Sequence, residues 1–226
     1  MSELLDKMNA LACEIAACEK CTLHLSRKNA VPGEGNIRTK ILFIGEGPGA
    51  NENETGRPFC GAAGNFLNSL LEKAGVQRRD VFITNVVKCR PPANRDPLPE
   101  ELTACQAYLD RQIEMIDPLV IVTLGRYSMA RYFPLQRISQ IHGQGKWIHD
   151  RLIVPMFHPA AALHNPNLRA SIEHDFSLLP GYLKEASMKL YPEVAVQEEA
   201  KPEENAAEPA PEQSGDENGA TQLSLF

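Results

Sequence analysis

The chain has 226 residues, of which 43% are hydrophobic, and this suits one substantial domain with an appendage. No apolar run approaches the roughly 18 residues that a membrane span needs, and the acidic Glu3 does not fit the basic start of a secretory signal. We therefore expect a cytoplasmic protein with no membrane association. A monomer is the default expectation.

The formal net charge of −6 is unevenly distributed along the chain. Residues 191–226 contain nine acidic residues and one lysine, whereas residues 1–190 contain 22 basic and 20 acidic residues. Such a small basic excess permits contact with a phosphate backbone without indicating it. Beyond about residue 190, Pro, Glu, Ala, Gln, Ser and Gly dominate, so we predict a folded domain over 1–190 and a disordered acidic tail over 191–226.

The hydrophobic pattern of the body alternates between helical and strand character. In chain order it predicts a helix over 3–17, a strand over 40–45 that ends in the Gly/Pro-rich turn 45–49, a helix over 61–75, a strand over 81–87, a helix over 97–116, and strands over 119–124 and 152–157. Strands that are apolar throughout and alternate with helices indicate a parallel sheet covered on both faces. We therefore predict a three-layer α/β/α domain with a central four-stranded parallel sheet.

Four cysteines have a spacing that suits metal ligation. Cys18 and Cys21 form a C-x2-C pair, and Cys89 and Cys105 form a second pair that is more widely separated. Because the cytosol keeps thiols reduced, disulfides are a poor explanation for them. Zinc and an iron–sulfur cluster both accept four thiolates, and the spacing does not choose between them. Plain burial of Cys105 on an apolar helix face is the alternative.

The turn after the first predicted strand, Gly45-Glu46-Gly47-Pro48-Gly49-Ala50, formally satisfies the dinucleotide-binding pattern G-x-G-x-x-G/A. However, Pro48 and the polar segment 51–57 interrupt the place where a phosphate-binding helix should begin at once. We therefore expect a ligand other than a dinucleotide at this turn.

Several motifs, in a fixed order, resemble those of the family 4 uracil-DNA glycosylases. They are Gly45-Glu-Gly-Pro-Gly49 with Glu52, Gly56-Arg-Pro-Phe59, Gly61-x-x-Gly64, Thr84-Asn-Val-Val-Lys-Cys-Arg-Pro-Pro92, Asn94-Arg-Asp-Pro97, Glu100-Glu-Leu-x-x-Cys105, Gln112-Ile and His158-Pro-Ala-Ala. The similarity extends from about Cys18 to about residue 185. It implies the fold of those enzymes, hydrolysis of the N-glycosidic bond of uracil in DNA, and an abasic product that initiates base excision repair.

The resemblance also implies two residue assignments. It implies that Cys18, Cys21, Cys89 and Cys105 hold a [4Fe–4S] cluster in a structural role. It assigns to Glu52 the exclusion of thymine, whose C5 methyl group is its only difference from uracil.

The chemistry of uracil excision can be matched to the same motifs. Rotating the base out of the duplex costs a few kcal/mol of stacking and pairing. Stacking of the flipped ring on Phe59 would return about 1–3 kcal/mol. The carboxamide of Asn85 can accept from uracil N3–H and donate to O4, which distinguishes uracil from cytosine.

Bond cleavage leaves negative charge on uracil, mostly shared with O2, and His158 can donate to that atom. Backbone N–H groups of the turn at Gly47 could add to this stabilisation. Related glycosylases of another family place an aspartate where this chain has Gly47, so we assign the positioning of water, or stabilisation of the sugar cation, to Glu46. Asn94 and Arg95 are expected to contact DNA near the pocket.

The last five residues, Gln222, Leu223, Ser224, Leu225 and Phe226, match the peptide by which bacterial replication and repair proteins dock on a sliding clamp. Their apolar side chains have no evident core to join at the end of a polar segment. A flexible linker of about 30 residues would reach about 30 Å. The sequence therefore predicts two partners, uracil-containing DNA and a sliding clamp.

Two other functional classes stay open on the sequence alone. One is a catalytically silent iron–sulfur module that binds uracil-containing DNA without leaving abasic sites. The other is a redox protein that uses the cluster for electron transfer and is indifferent to DNA.

Overall fold

The computed structural model describes residues 2–192, so the predicted tail and its terminal peptide lie almost entirely outside the described residues. Within that range the helices are α1 (Ser2–Ala16), α2 (Ala50–Thr55), α3 (Ala62–Lys73), α4 (Pro99–Ile116), α5 (Arg126–Ala130), α6 (Ile138–Ile141), α7 (Pro159–His164), α8 (Arg169–Ser177) and α9 (Leu179–Leu190). The strands are β1 (Glu34–Gly35), β2 (Ile41–Gly45), β3 (Phe82–Asn85), β4 (Val120–Leu124), β5 (Lys146–Ile148) and β6 (Arg151–Met156). None of these helices is long and apolar enough to cross a bilayer.

The strands form one mixed sheet in the order β1-β3-β2-β4-β6-β5. Its middle four strands are parallel and correspond to the four predicted ones, whereas β1 and β5 pair antiparallel at the two edges. The prediction of a four-stranded, all-parallel sheet was therefore wrong in two respects: the sheet has six strands, and its two edge strands are antiparallel. The edge strands escaped prediction because they have only two and three residues, none of them buried.

Side chains of the central strands alternate between two separate apolar cores. In β2, Phe43 packs on one face with α3, α8 and α9, while Leu42 and Ile44 pack on the other with α1, α4, α5 and α6. The rings of Phe43 and Phe176 stack with their centroids 6.1 Å apart. Helices thus cover both faces of the sheet, as in a three-layer α/β/α arrangement.

The carboxyl ends of the parallel strands bring the motif residues to one edge of the sheet. Gly45 ends β2 and lies directly beside Asn85, which ends β3. His158 follows β6 by two residues. β3 lies on one side of β2, and β4 lies on the other. The strand order therefore reverses at β2, and a reversal of this kind opens a crevice at the carboxyl edge of a parallel sheet.

Candidate active site and cysteine cluster

One cavity of about 500 Å³ opens at this carboxyl edge of the sheet. All seven residues predicted for the pocket line it: Glu46, Gly47, Glu52, Phe59, Asn85, Asn94 and His158. Its volume is within the range of small-molecule sites. Residues that are up to 112 positions apart in sequence therefore meet around one space large enough for a flipped base.

Asn85 is 1% exposed, and its Oδ1 atom has no hydrogen-bond partner. Leaving a buried acceptor unpaired costs about 1–3 kcal/mol, so nearly all such atoms in folded proteins are satisfied. Because Asn85 lines the cavity, a ligand that donates a hydrogen bond there would remove this cost.

Gly45 allows the aromatic and carboxamide groups of the pocket to approach each other. A Cβ atom at this position would overlap Oδ1 of Asn85 and lie 2.8 Å from Cζ of Phe59. The close packing of Asn85 and Phe59 therefore requires glycine at position 45, because any side chain there would clash with both residues.

Phe59 has a φ of +49°, a left-handed conformation that is strained for a bulky residue. Its backbone is held from several sides. Arg78 donates to the carbonyl of Pro58 at 2.8 Å, and a Cβ at Gly64 would overlap the Phe59 carbonyl. The neighbourhood thus fixes the position of the ring, which stacks on His158 with a centroid distance of 5.3 Å and an interplanar angle of 26°.

Glu52 ties the glycine turn to the loop that follows Phe59. Its Oε2 accepts from the N–H of Gly49 at 3.0 Å. Its Oε1 accepts from the N–H groups of Cys60 and Gly61 at 3.0 and 3.1 Å. Both carboxylate oxygens are therefore held by backbone donors, so Glu52 is a rigid part of the cavity wall.

The imidazole of His158 is neutral and its tautomer is set by the backbone. Burial lowers its pKa from 6.5 to about 4, and the negative charge of Glu52 only partly opposes this. The N–H of Ala160 donates to Nδ1 at 3.1 Å. Because Nδ1 is an acceptor, the proton of the neutral ring is on Nε2, which is left as a hydrogen-bond donor.

Glu46 lies in a partly buried position at the cavity. Burial raises its pKa above the ordinary 4.5, the neighbouring Asp96 raises it further, and Arg126 opposes the shift. Asp96 and Arg126 form an ion pair with each other. A carboxyl group with a raised pKa in a cleft is suited to proton transfer or water activation.

Asn94 and Arg95 both line the cavity, and each forms a side-chain hydrogen bond within the protein. Asn94, in a left-handed conformation with φ +54°, accepts from Nε of Arg90 at 2.8 Å. Arg95 forms two hydrogen bonds with the fully buried carboxylate of Glu101, at 2.6 and 2.8 Å. The guanidinium that was expected to contact DNA is thus paired within the protein.

The four predicted metal ligands lie in one neighbourhood between α1, α4 and the segment after β3. Cys89 and Cys105 share an apolar cluster against which Cys21 packs, while Cys18 packs on the adjoining cluster around Ile15. Burial raises the pKa of Cys89, Arg27 opposes this, and nearby Cys21 and Cys18 raise it further. Burial likewise raises the pKa of Cys105, to about 11.

Hydrogen-bond donors face these sulfurs. Arg27 donates to Sγ of Cys89 at 3.3 Å and to the carbonyl of Cys18 at 2.6 Å, and the N–H of Lys20 donates to Sγ of Cys18 at 3.5 Å. Within residues 2–192, no three or more His, Cys, Asp or Glu side chains converge closely enough to hold a metal ion. The four thiols therefore share a neighbourhood but do not meet at one point.

Sequence reasoning missed several residues of the cavity wall. Pro91 and Asp96 lie in the loop after β3, and Ala161 and His164 are on α7. Their neighbours in sequence, Asn94 and His158, were identified, but no pattern showed which nearby side chains would face the cavity. Gly45 was included in a motif, although its role as a spacer between two side chains needed the three-dimensional contacts.

Comparison with known proteins identifies the family of the chain. Residues 32–177 match the sequence model of the uracil DNA glycosylase superfamily, which defines the class of the chain. The chain is 49% identical over 182 residues to the type-4 uracil-DNA glycosylase of Sulfurisphaera tokodaii, and the match covers 76% of this chain and 83% of the relative. Identity to the type-4 enzyme of Thermotoga maritima is 43% over 182 residues, covering 78% and 95%. The chain belongs to the type-4 uracil-DNA glycosylases.

A more distant relationship covers a smaller part of the chain. The type-5 uracil-DNA glycosylase of Thermus thermophilus is 39% identical over 114 residues, which is 44% of this chain and 52% of that protein. The type-4 relatives therefore match over a much longer part of the sequence.

Substitution of Gly45 by alanine is predicted to abolish the pocket while leaving the fold intact. The added methyl group would push Asn85 and Phe59 apart, so we expect cleavage of uracil-containing DNA to fall by about 100-fold or more, equivalent to about 3 kcal/mol. Gly181→Ala is the control, because nothing lies within 4 Å of its added Cβ. Equal single-turnover rates in the two folded variants would contradict the spacer role of Gly45.

Proposed function

We propose that this protein excises uracil from DNA by hydrolysing the N-glycosidic bond, which leaves an abasic site and begins base excision repair. The observation that carries this function is the buried Oδ1 of Asn85, which has no hydrogen-bond partner and belongs to a residue that lines the cavity. Uracil presents N3–H as a donor to this atom and O4 as an acceptor for the amide N–H2 group. Cytosine lacks the N3–H donor, so it leaves the unpaired oxygen unsatisfied.

The flipped uracil ring stacks on Phe59. Stacking of a base on an aromatic side chain returns about 1–3 kcal/mol, which offsets part of the cost of unstacking and unpairing. The restraints on the Phe59 backbone support this role, because they hold the ring in place before the base arrives.

Glu52 excludes thymine by forming a fixed wall of the pocket. Three backbone N–H groups hold its carboxylate, so the wall cannot move aside for an additional methyl group without breaking hydrogen bonds. This restraint supports a steric function for Glu52 beside its structural one.

Neutral His158 stabilises the departing base. Its Nε2–H donates to uracil O2, where negative charge accumulates as the glycosidic bond breaks, so the hydrogen bond is strongest in the transition state. A neutral donor is sufficient because the charge develops on the substrate within a partly buried site. Glu46, as a carboxylate, positions the attacking water or stabilises the positive charge that forms on the sugar.

The decisive experiment for this function is single-turnover cleavage of a uracil-containing oligonucleotide followed by alkali. We expect Asn85→Ala and His158→Ala each to lower the rate by at least about tenfold, because each removes a hydrogen bond worth about 1.4 kcal/mol or more in the transition state. Asn167→Ala and His174→Ala, which change exposed residues of the same types, are the controls. Wild-type rates in both site variants, with intact circular dichroism, would refute the assignment.

The pH dependence separates Glu46 from His158. Because the pKa of Glu46 is raised above 4.5, its carboxylate is lost as the pH falls through that raised value, and the rate should fall with it. The lowered pKa of His158, about 4, predicts no inflection near the ordinary histidine value of 6.5. In Glu46→Gln the acidic limb of the pH–rate profile should move to lower pH. A limb centred near 6.5 that persists in Glu46→Gln would contradict the neutral state of His158.

We propose that Cys18, Cys21, Cys89 and Cys105 hold a [4Fe–4S] cluster that links α1 to α4 and to the segment after β3. A zinc ion needs its ligand atoms at one point, about 2.3 Å from the metal, whereas in a four-iron cluster the thiolates surround a larger body. The grouping of the four thiols and the donors facing their sulfurs support the cluster. This cofactor and free thiols suit the cytoplasm, where we place the protein.

Iron and acid-labile sulfide analysis tests the cofactor. We expect both elements in protein purified without oxygen, and their loss together with a lower Tm in Cys105→Ser, because one of four ligands is removed. Cys13→Ser is the matched control, since that cysteine is exposed. Stoichiometric zinc without sulfide in the wild-type protein would reject the cluster.

We also propose that residues 1–190 form the catalytic domain and that 191–226 tether it to a sliding clamp through Gln222, Leu223, Ser224, Leu225 and Phe226. The acidic character of the tail supports this arrangement, because a chain of that charge is repelled by DNA and leaves its end free for a protein partner. Tethering would raise the local concentration of the enzyme at newly replicated DNA.

Clamp binding is tested with the intact protein and a purified bacterial sliding clamp. Leu225→Ala with Phe226→Ala should abolish binding in surface plasmon resonance, because these side chains supply the apolar contacts of the peptide, and should leave cleavage of short oligonucleotides unchanged. Gln213→Ala is the control in the same tail. Unchanged affinity in the double variant would reject the clamp hypothesis.

A further inference from the structure

A buried lysine lies directly behind the residue that reads the base. Lys88 is 1% exposed, and its Nζ donates to three oxygens. They are Oγ1 of Thr84 at 2.7 Å, the backbone carbonyl of Asn85 at 2.8 Å and Oε1 of Gln112 at 2.7 Å. The three donors of an ammonium group are thus matched by three acceptors.

This arrangement is unusual for a lysine, because the residue is rarely fully buried unless a carboxylate pairs with it. In the part of the chain that the structure describes, no carboxylate forms an ion pair with Lys88. Burial of this amino group is therefore offset by hydrogen bonds to neutral oxygens alone, at a net cost in stability. Such a cost suggests that the group serves the site and not only the fold.

The hydrogen bonds continue beyond Lys88 into a connected network. Gln112, from α4, donates through Nε2 to the carbonyl of Pro32 at 2.7 Å, and Oγ1 of Thr84 lies 2.9 Å from the same carbonyl. The network therefore joins the end of β3 to α4 and to the segment that leads into β1. Gln112 and Lys88 do not line the cavity, so neither contacts the base there, but both belong to this network.

The carboxamide of Asn85 has to be oriented by other parts of the protein, because its oxygen forms no hydrogen bond of its own. Its Oδ1 has no partner inside the protein, so no hydrogen bond to that atom fixes the carboxamide before uracil arrives. The direction of the side chain is determined by the backbone of Asn85 and by packing against Gly45. Lys88, which does not line the cavity, holds that backbone at the carbonyl.

We propose that Lys88 is a positioning residue for uracil recognition: through its hydrogen bond to the Asn85 carbonyl, and supported by Thr84 and Gln112, it holds the carboxamide of Asn85 at the angle that uracil requires. The inference rests on the proposed function of Asn85. It assigns to Lys88 an effect on the rate of base excision without any contact with DNA.

A double-mutant cycle between Lys88 and Asn85 tests the inference. Lys88→Met keeps the length and apolar stem of the side chain but removes the donors. We expect it to lower the maximal single-turnover rate by about 30-fold in the wild-type background, and by no more than about twofold when Asn85 is already alanine. The affinity for an oligonucleotide that contains an abasic-site analogue should stay within about twofold of wild type, because Lys88 does not reach the surface.

Two variants complete the design. Lys40→Met changes an exposed lysine and should keep the wild-type rate. Where Lys88→Met does not fold by near-ultraviolet circular dichroism, Thr84→Val decides in its place, since it removes one acceptor of Lys88 at almost constant volume. We expect it to slow the reaction by about three- to tenfold and to lose this effect in the Asn85→Ala background.

The outcomes distinguish this inference from the proposed function. If Lys88→Met slowed Asn85→Ala by the same factor as it slows wild type, the loss would be general and the positioning role would be overturned, with the function of Asn85 unaffected. A wild-type rate in Asn85→Ala would instead overturn the proposed role of Asn85 in uracil recognition, on which the inference rests.

Discussion

The proposed recognition of uracil depends on one unsatisfied hydrogen-bond acceptor, the buried Oδ1 of Asn85. An atom of this kind lowers the free energy of unfolding of the ligand-free protein by about 1–3 kcal/mol. This loss is recovered when a matching hydrogen-bond donor binds. Uracil provides that donor at N3, whereas cytosine does not. In the proposed function, selectivity against cytosine therefore follows from a polar atom that the fold leaves unpaired.

Much of the surrounding structure can be understood as support for this atom. Gly45 gives it space, and the strained backbone of Phe59, held by Arg78 and Glu52, fixes the stacking surface beside it. On the other side Lys88 restrains the strand end. Backbone strain and a buried lysine both reduce stability, so their occurrence within one small region indicates that positional accuracy is maintained there at the expense of the fold.

The sequence predicted the parallel strands and most residues of the cavity wall. It did not predict which side chains contact each other. Apolar runs identified β2, β3, β4 and β6, but the two edge strands have too few residues for any periodicity. Motifs identified Asn85, Phe59 and His158 by their chemistry. The sequence could not show that Arg95 pairs with Glu101, or that Lys88 faces Gln112, because these partners are set by tertiary packing and carry no periodic signal.

The central claim is tested most directly by competition between free bases during cleavage of uracil-containing DNA. Uracil and 3-methyluracil have the same ring and the same O2 and O4 acceptors, but only uracil has the N3–H donor. Our account predicts that uracil inhibits the enzyme and that 3-methyluracil is weaker by about tenfold or more, the value of one lost hydrogen bond to a buried acceptor. Equal inhibition by the two bases would show that the carboxamide oxygen of Asn85 does not read uracil.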